Sequence, residues 1–280
     1  MRTTRATWLL LLPAIAIFAS IFAAPLVYFF IVSFWLKEEF VMVPAATLAN
    51  YAQVFDEFWL PLLFTFGMAT LIALATTVLA FAFAYVVRFK AGRYAIPLLF
   101  VALITLFGGY LTKVYVWKTI LGEQGILNSA LLALGLIDQP MSTFLYNPVA
   151  VVITLTHYNL PLAVLPIYGA LRSVDDVPLR SARDLGAGPF RGLWDIVLPQ
   201  CRTGLVIAFS LTFLFTAGDW ITPKLVGGPY TSMIGTFIEF QYGSLFNRPL
   251  GSAMAFTVIA ISVAILGCFA ALAQLTLRPR

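Results

Sequence analysis

The chain has 280 residues, of which 61% are hydrophobic and only 10% charged, with a mean hydropathy of +0.95. Soluble domains carry about 25% charged and about 45–50% apolar residues, so composition excludes a water-covered globule and makes lipid the natural solvent. The formal net charge of +5 calls for no nucleic-acid partner, because its distribution follows membrane topology.

A transmembrane helix takes about 20 consecutive, mostly apolar residues. In chain order, such runs predict spans at 8–36, 59–87, 94–111, 148–171, 204–221 and 250–277. The first follows Arg2 and Arg5, as a signal peptide would. Its apolar run outlasts a signal core of roughly 7–15 residues and lacks a clear cleavage site, so it reads as an uncleaved helix. The third fades through Gly108 and Gly109 towards Trp117. Short surface helices are expected around Val116-Trp117, Ile126-Leu127 and 130–137. The longest loops, 112–147, 172–203 and 222–249, are too short for an independent core. The fold class is therefore an all-α integral membrane protein of six transmembrane helices, a single domain over 1–280. Cys201 and Cys268 lie in or beside apolar runs without metal spacing and read as buried free thiols.

Six spans place both termini on one side. That side carries Arg2, Arg5, Arg88, Lys90, Arg93, Arg172, Arg180, Arg183, Arg191, Arg202, Arg278 and Arg280, against Lys37, Lys113, Lys118, Lys224 and Arg248 on the other. The positive-inside rule puts the richer side, with the 172–203 loop, in the cytoplasm.

Within that loop, 177–185 suits a short helix capped by Asp175 or Asp176, with Pro178 tolerated in its first turn. Gly186 to Pro189 breaks it, supplying a positive φ and a proline-fixed turn. Helical spacing resumes over 190–198, with Phe190, Leu193, Trp194 and Val197 on one face. A helix–turn–helix lying across the cytoplasmic surface is predicted. As an amphipathic pattern alone, it is equally a plain connector resting on headgroups.

The residues of this loop resemble a family pattern. Binding-protein-dependent ABC importer permeases carry Glu-Ala-Ala, three residues, Gly, nine residues, Ile, one residue and Leu-Pro between spans four and five. Ala182, Gly186, Ile196, Leu198 and Pro199 match it at the same spacing, and 183–187 is close to its usual wording. Arg180 stands where the family has Glu, and Ser181 where it has the first Ala. The resemblance implies the type I importer fold and makes 172–203 the cytoplasmic coupling loop that docks on an ATPase. It assigns that docking to Arg180, Ser181, Ala182, Arg183, Asp184, Leu185, Gly186, Ile196, Leu198 and Pro199. The chain lacks GxxxxGK[ST] and so has no cradle of its own for nucleotide phosphates. The resemblance places ATP and Mg on two copies of a separate cytoplasmic ATP-binding subunit, leaving no cofactor on this chain. It also implies a second permease subunit, an external solute-binding protein and residence in a bacterial inner membrane.

Three further stretches resemble the polyamine-importer branch. They are 114–117 with 125–128, then 132–137, and 219–223 with 225–229 and 233–235. Importers of ferric iron, phosphonates or opines share parts of these patterns. Asp219 closes an apolar run, where an acid is expensive unless it meets a cavity or a partner, and a protonated amine is one such partner. His157, Tyr158 and Asn159 interrupt span four in the same way. Trp117 and Trp220 are suited to stack on a cationic substrate. The expected substrate path is Asp219, Trp220, Trp117, Tyr115, Tyr158 and Asn159. Plainer readings stay open: Asp219 as a loop cap or partner of Lys224, His157 as a hydrogen-bonded helix residue, and the tryptophans as interfacial belt. A membrane enzyme would need convergent catalytic groups, and an ion-coupled transporter several intramembrane charges with inverted repeats. Neither pattern is present in the sequence.

Overall fold

In the computed structural model the structure describes residues 5–39 and 41–277, with side chains from residue 10 onward. Arg2, Arg278, Arg280 and the side chain of Arg5 lie outside the described residues, so those members of the charge asymmetry have no structural account. Helices α1 (Arg5–Phe18) and α2 (Ala24–Val32) join through a π turn at Ala19–Ala23. A two-stranded antiparallel hairpin follows, β1 (Leu36–Glu38) with β2 (Val41–Val43), pairing Leu36 with Val43. It is the one small departure from an all-α chain among the described residues. Then come α3 (Ala49–Glu57), α4 (Trp59–Phe89), α5 (Ala95–Ile104), α6 (Tyr110–Leu121), α7 (Ile126–Ala133) and α8 (Pro148–Arg172). The chain closes with α9 (Asp176–Asp184), α10 (Pro189–Gly192), α11 (Leu198–Ala217), α12 (Ile234–Gly243) and α13 (Arg248–Thr276).

Among the described residues, five helical stretches are long and apolar enough to cross a membrane: Leu10–Val32, Trp59–Phe89, Pro148–Arg172, Pro189–Ala217 and Arg248–Thr276. A sixth exists only as a bent pair, Gly92–Phe107 with Tyr110–Ala133, turned by 101°. The third predicted span, 94–111, is thus not straight. Gly108 and Gly109 both take extended backbone (ψ 132° and 140°), as expected where two adjacent glycines each disfavour helix by about 1 kcal/mol. The fifth span also differs from 204–221. It starts at Pro189, runs through a π turn at Leu193–Val197 and ends at Ala217. The second arm of the predicted helix–turn–helix is therefore the root of span five and not a separate surface helix.

The chain forms two compact units. The smaller comprises 1–60 with 237–259. Its loop after α2 is held by Asn50, 7% exposed, whose amide donates to the carbonyls of Ser33 (2.8 Å) and Trp35 (2.7 Å). Lys37 reaches the Leu245 carbonyl at 2.6 Å, and Tyr242 bonds Ser252 at 2.7 Å.

The larger unit, 61–236 with 260–280, carries both regions of functional interest. Its most extensive helix pair is α8 with α11. Close approach depends on Gly204, where a Cβ would stand 2.6 Å from the Ala170 Cβ and 2.7 Å from the Pro166 oxygen. Small residues are what membrane helices place at such crossings. One core joins Ala84 of α4, Ile167 of α8, Leu179 of α9 and Val197 and Cys201 before and within α11. A second gathers Ile72, Val114, Leu155, Val226 and Met233. Outside these cores the exterior is apolar: Val78 is 65% exposed and Ile96 79%, as a lipid-solvated surface requires. Cys268 belongs to that exterior. Cys201 is buried as expected, whereas Cys268 is exposed on α13, because little of that helix is covered within the chain.

Candidate coupling surface and substrate path

The α9 helix follows its sequence signals closely. Asp175 is the cap, its carboxylate accepting from the Val177 N–H at 2.9 Å, and Gly186 ends the helix at φ +84°. Two ties fix it to the bundle. Asp176 pairs with Arg88 at the end of α4, at 3.2 Å, and Leu179 is buried, lying 3.0 Å from the position of a Cβ on Gly192. The 31 residues of α4 extend about 46 Å, longer than a bilayer core of about 30 Å. Arg88 is thereby carried to the level where apolar sequence gives way to charge.

The faces of α9 differ. Val177, Ser181, Asp184 and Leu185 are exposed, Leu185 to 89%, and Ala182 is half-buried. Beyond the turn, Phe190 is 74% exposed and stacks on Trp194 at 6.2 Å between centroids. Arg180 and Arg183 lie on another side, lining a cleft with Arg88, Lys90 and Asp176. Arg180, at the family's usual Glu position, is thus exposed and lines this cleft. Ile196 and Leu198 are half-buried and Pro199 buried, so these motif residues sit in the first turns of span five and offer less surface than α9 does.

The second region forms where two breaks meet. α11 stops at Gly218, whose N–H bonds the Leu214 carbonyl at 3.2 Å. Asp219 then begins a new helical stretch, its Oδ1 accepting from the N–H groups of Ile221 (3.0 Å) and Thr222 (3.3 Å). The third donor is Tyr110, first residue after Gly108-Gly109, whose hydroxyl reaches the same oxygen at 2.5 Å. Tyr110 also lies 2.7 Å from the Thr222 hydroxyl. A phenol has one proton. With that proton on the Asp219 bond, Thr222 donates to Tyr110. The cap reading of Asp219 is therefore realised, with a tyrosine that the sequence reading passed over. Asp219 is 7% exposed, and among the described residues its Oδ2 has no hydrogen-bond partner.

Around this carboxyl, Tyr110, Tyr158 and Phe215 form a mutual ring cluster with centroids 4.9–5.8 Å apart. The Lys113 ammonium sits 4.9 Å from the Tyr158 centroid. Trp117 donates its indole N–H to His157 Nδ1 at 3.1 Å, so the lone histidine is a hydrogen-bonded helix residue. Asn159 is fully buried and reaches Thr216 at 3.4 Å. Trp220 carries the Lys224 ammonium 5.1 Å from its ring centre. Tyr115 is exposed on α6 and joins none of these contacts. Of the predicted path, the structure brings Asp219 and Tyr158 together through Tyr110. Trp117, Trp220 and Asn159 stand in contacts of their own. The predicted path omits Tyr110, Lys113 and Phe215, and Thr222 enters the sequence reading only within the 219–223 stretch. Only Tyr110 had a signal, as an amphipathic residue beside a glycine pair in a fading apolar run.

A predominantly helical chain with membrane-crossing helices and a capped amphipathic helix tied to them is a multi-pass membrane fold. Among solved structures, a bacterial ABC transporter involved in import of the acidic polysaccharide alginate shares the fold, with a TM-score of 0.71 at 16% identity, over 95% of this chain and 94% of that one. No family model matches the chain. Among curated relatives, the spermidine/putrescine transport system permease protein PotB of Salmonella typhimurium (strain SL1344) is 32% identical over 77% of this chain and 75% of its own. The inner membrane ABC transporter permease protein YdcU of Escherichia coli (strain K12) is 30% identical over 91% of this chain and 85% of its own. The chain belongs to the family of binding-protein-dependent ABC importer permeases. It is a multi-pass inner-membrane transport subunit.

Proposed function

We propose that the solute is a polyamine such as spermidine or putrescine, moved by alternating access. PotB, a spermidine/putrescine permease by name, supports this reading at 32% identity. The observation that carries it is the Asp219 carboxyl, bonded by Tyr110 of the Tyr110–Tyr158–Phe215 ring cluster, with one oxygen lacking a donor among the described residues. A buried acceptor without a partner costs about 1–3 kcal/mol. A substrate ammonium, flanked by aromatic faces, is the donor this reading supplies.

On the same reading the whole chain, 1–280, is one permease domain with both termini in the cytoplasm. It joins a second, different permease, an external solute-binding protein and two ATP-binding subunits. Those subunits contact Val177, Ser181, Ala182, Asp184, Leu185 and Gly186 of the α9 region together with Phe190. Arg180 and Arg183 are peripheral to that contact. Closure of the ATPases is passed through α9 to α4 by the Arg88–Asp176 pair and to span five through Leu179 and α10.

The test is uptake of radiolabelled spermidine by cells whose only polyamine importer contains this chain. Asn in place of Asp219 keeps an oxygen for the cap but loses the charge. Uptake is expected to fall about tenfold, equivalent to about 1.4 kcal/mol, with unchanged amounts of chain in the membrane. Unchanged uptake would remove Asp219 from the path and leave it a cap.

A further inference from the structure

The cleft between the end of α4 and α9 encloses about 240 Å³ and is lined by Arg88, Lys90, Arg180 and Arg183, with Tyr85 and Phe89 among its walls. Asp176 is the one acid lining it, and both its oxygens face Arg88, at 3.2 and 3.3 Å. Three cations therefore remain without a carboxylate among the described residues. Such a cleft selects a compact, multiply accepting anion, and a phosphate group meets that description.

The source of the phosphate follows from what leads to the cleft. Along the last turns of α4 the exposed positions Leu79, Ala82 and Val86 form one short apolar stripe, within about 60° of one another, and the next step of four reaches Lys90. Tyr85 and Phe89 flank this end, with the Arg88 guanidinium over the Phe89 ring at 4.9 Å. An acyl chain laid on the stripe delivers its headgroup to Lys90, Arg180 and Arg183. We infer that this cleft is a binding site for the phosphate of an anionic phospholipid, clamped between span two and α9. Basic pockets between membrane helices are recognised stations for such headgroups. Through this site the position and freedom of α9 depend on the lipid around it.

Native mass spectrometry of the purified full-length chain, equilibrated with equal phosphatidylglycerol and phosphatidylcholine of matched acyl chains, tests this. Preferential retention of phosphatidylglycerol is expected. Lys90→Gln and Arg180→Gln are each expected to lower that preference about fivefold, the equivalent of about 1 kcal/mol per surface cation. Arg93→Gln, a basic residue of the same loop outside the cleft, is expected to leave it unchanged. Equal retention of the two lipids, or preference that survives both cleft substitutions, overturns the site. So does an equal loss with Arg93→Gln, which would reduce the effect to general surface charge. Full displacement of phosphatidylglycerol by inorganic phosphate would assign the cleft to a soluble anion and overturn the lipid.

Discussion

Tyr110 gives its one phenolic proton to Asp219 and accepts another from Thr222, so three side chains from two broken segments are locked by two short hydrogen bonds. Hydrogen bonds to charged groups contribute about 1.5–3 kcal/mol. Phe in place of Tyr110 keeps the ring cluster but removes the donor. It is expected to lower the thermal midpoint of the purified chain, by a loss within that range, while retaining helical circular dichroism. Gly204 sets a second residue-scale limit. Its would-be Cβ meets Ala170 and the Pro166 carbonyl well inside contact distance, so Gly204→Ala is expected to destabilise by about 1–3 kcal/mol as α8 and α11 are forced apart. The sequence marks Asp219 as costly in an apolar setting, but it cannot supply the partner. Tyr110 lies 109 residues away, and no local pattern encodes that pairing.

At the scale of elements, α9 was readable because its signals are local: an Asp cap, a proline in the first turn and a glycine at the end. Gly186 has open space around it and φ +84°, so backbone shape alone sets what it tolerates. Val there is expected to cost about 1–2 kcal/mol and displace α9, whereas Asn, which visits the left-handed region, is tolerated. In the reconstituted transporter Gly186→Val should lose ATP hydrolysis stimulated by loaded binding protein, and Gly186→Asn should keep most of it. Both chains should insert normally. Coupling intact in the Val variant would remove Gly186 from the docking element. The bend at Gly108-Gly109 and the continuity of 189–217 were less legible. Hydropathy averages over a window, so it registers neither a two-residue break inside an apolar run nor a polar stretch that stays helical.

Across the whole molecule, the class and five of the six expected spans were legible because lipid imposes a long apolar run on each crossing. The direction of insertion rests on charge placement. In a chain lacking Cys201 and Cys268, an impermeant maleimide applied outside intact spheroplasts should label Glu123→Cys. Ser181→Cys should react only after permeabilisation. The opposite pattern would invert the topology. The π turn at Leu193–Val197, near the start of span five, bears on how such chains vary in length. A single π turn holds one residue more than the α-helical turn it replaces. A chain lacking Asp195 can therefore close into plain α-helix with Phe190 still in phase with α11. Loss of Thr203, inside α11 itself, would swing everything before it by about 100°. The π turn is a spare link, the one place in that shaft where a residue can be lost without turning the other end.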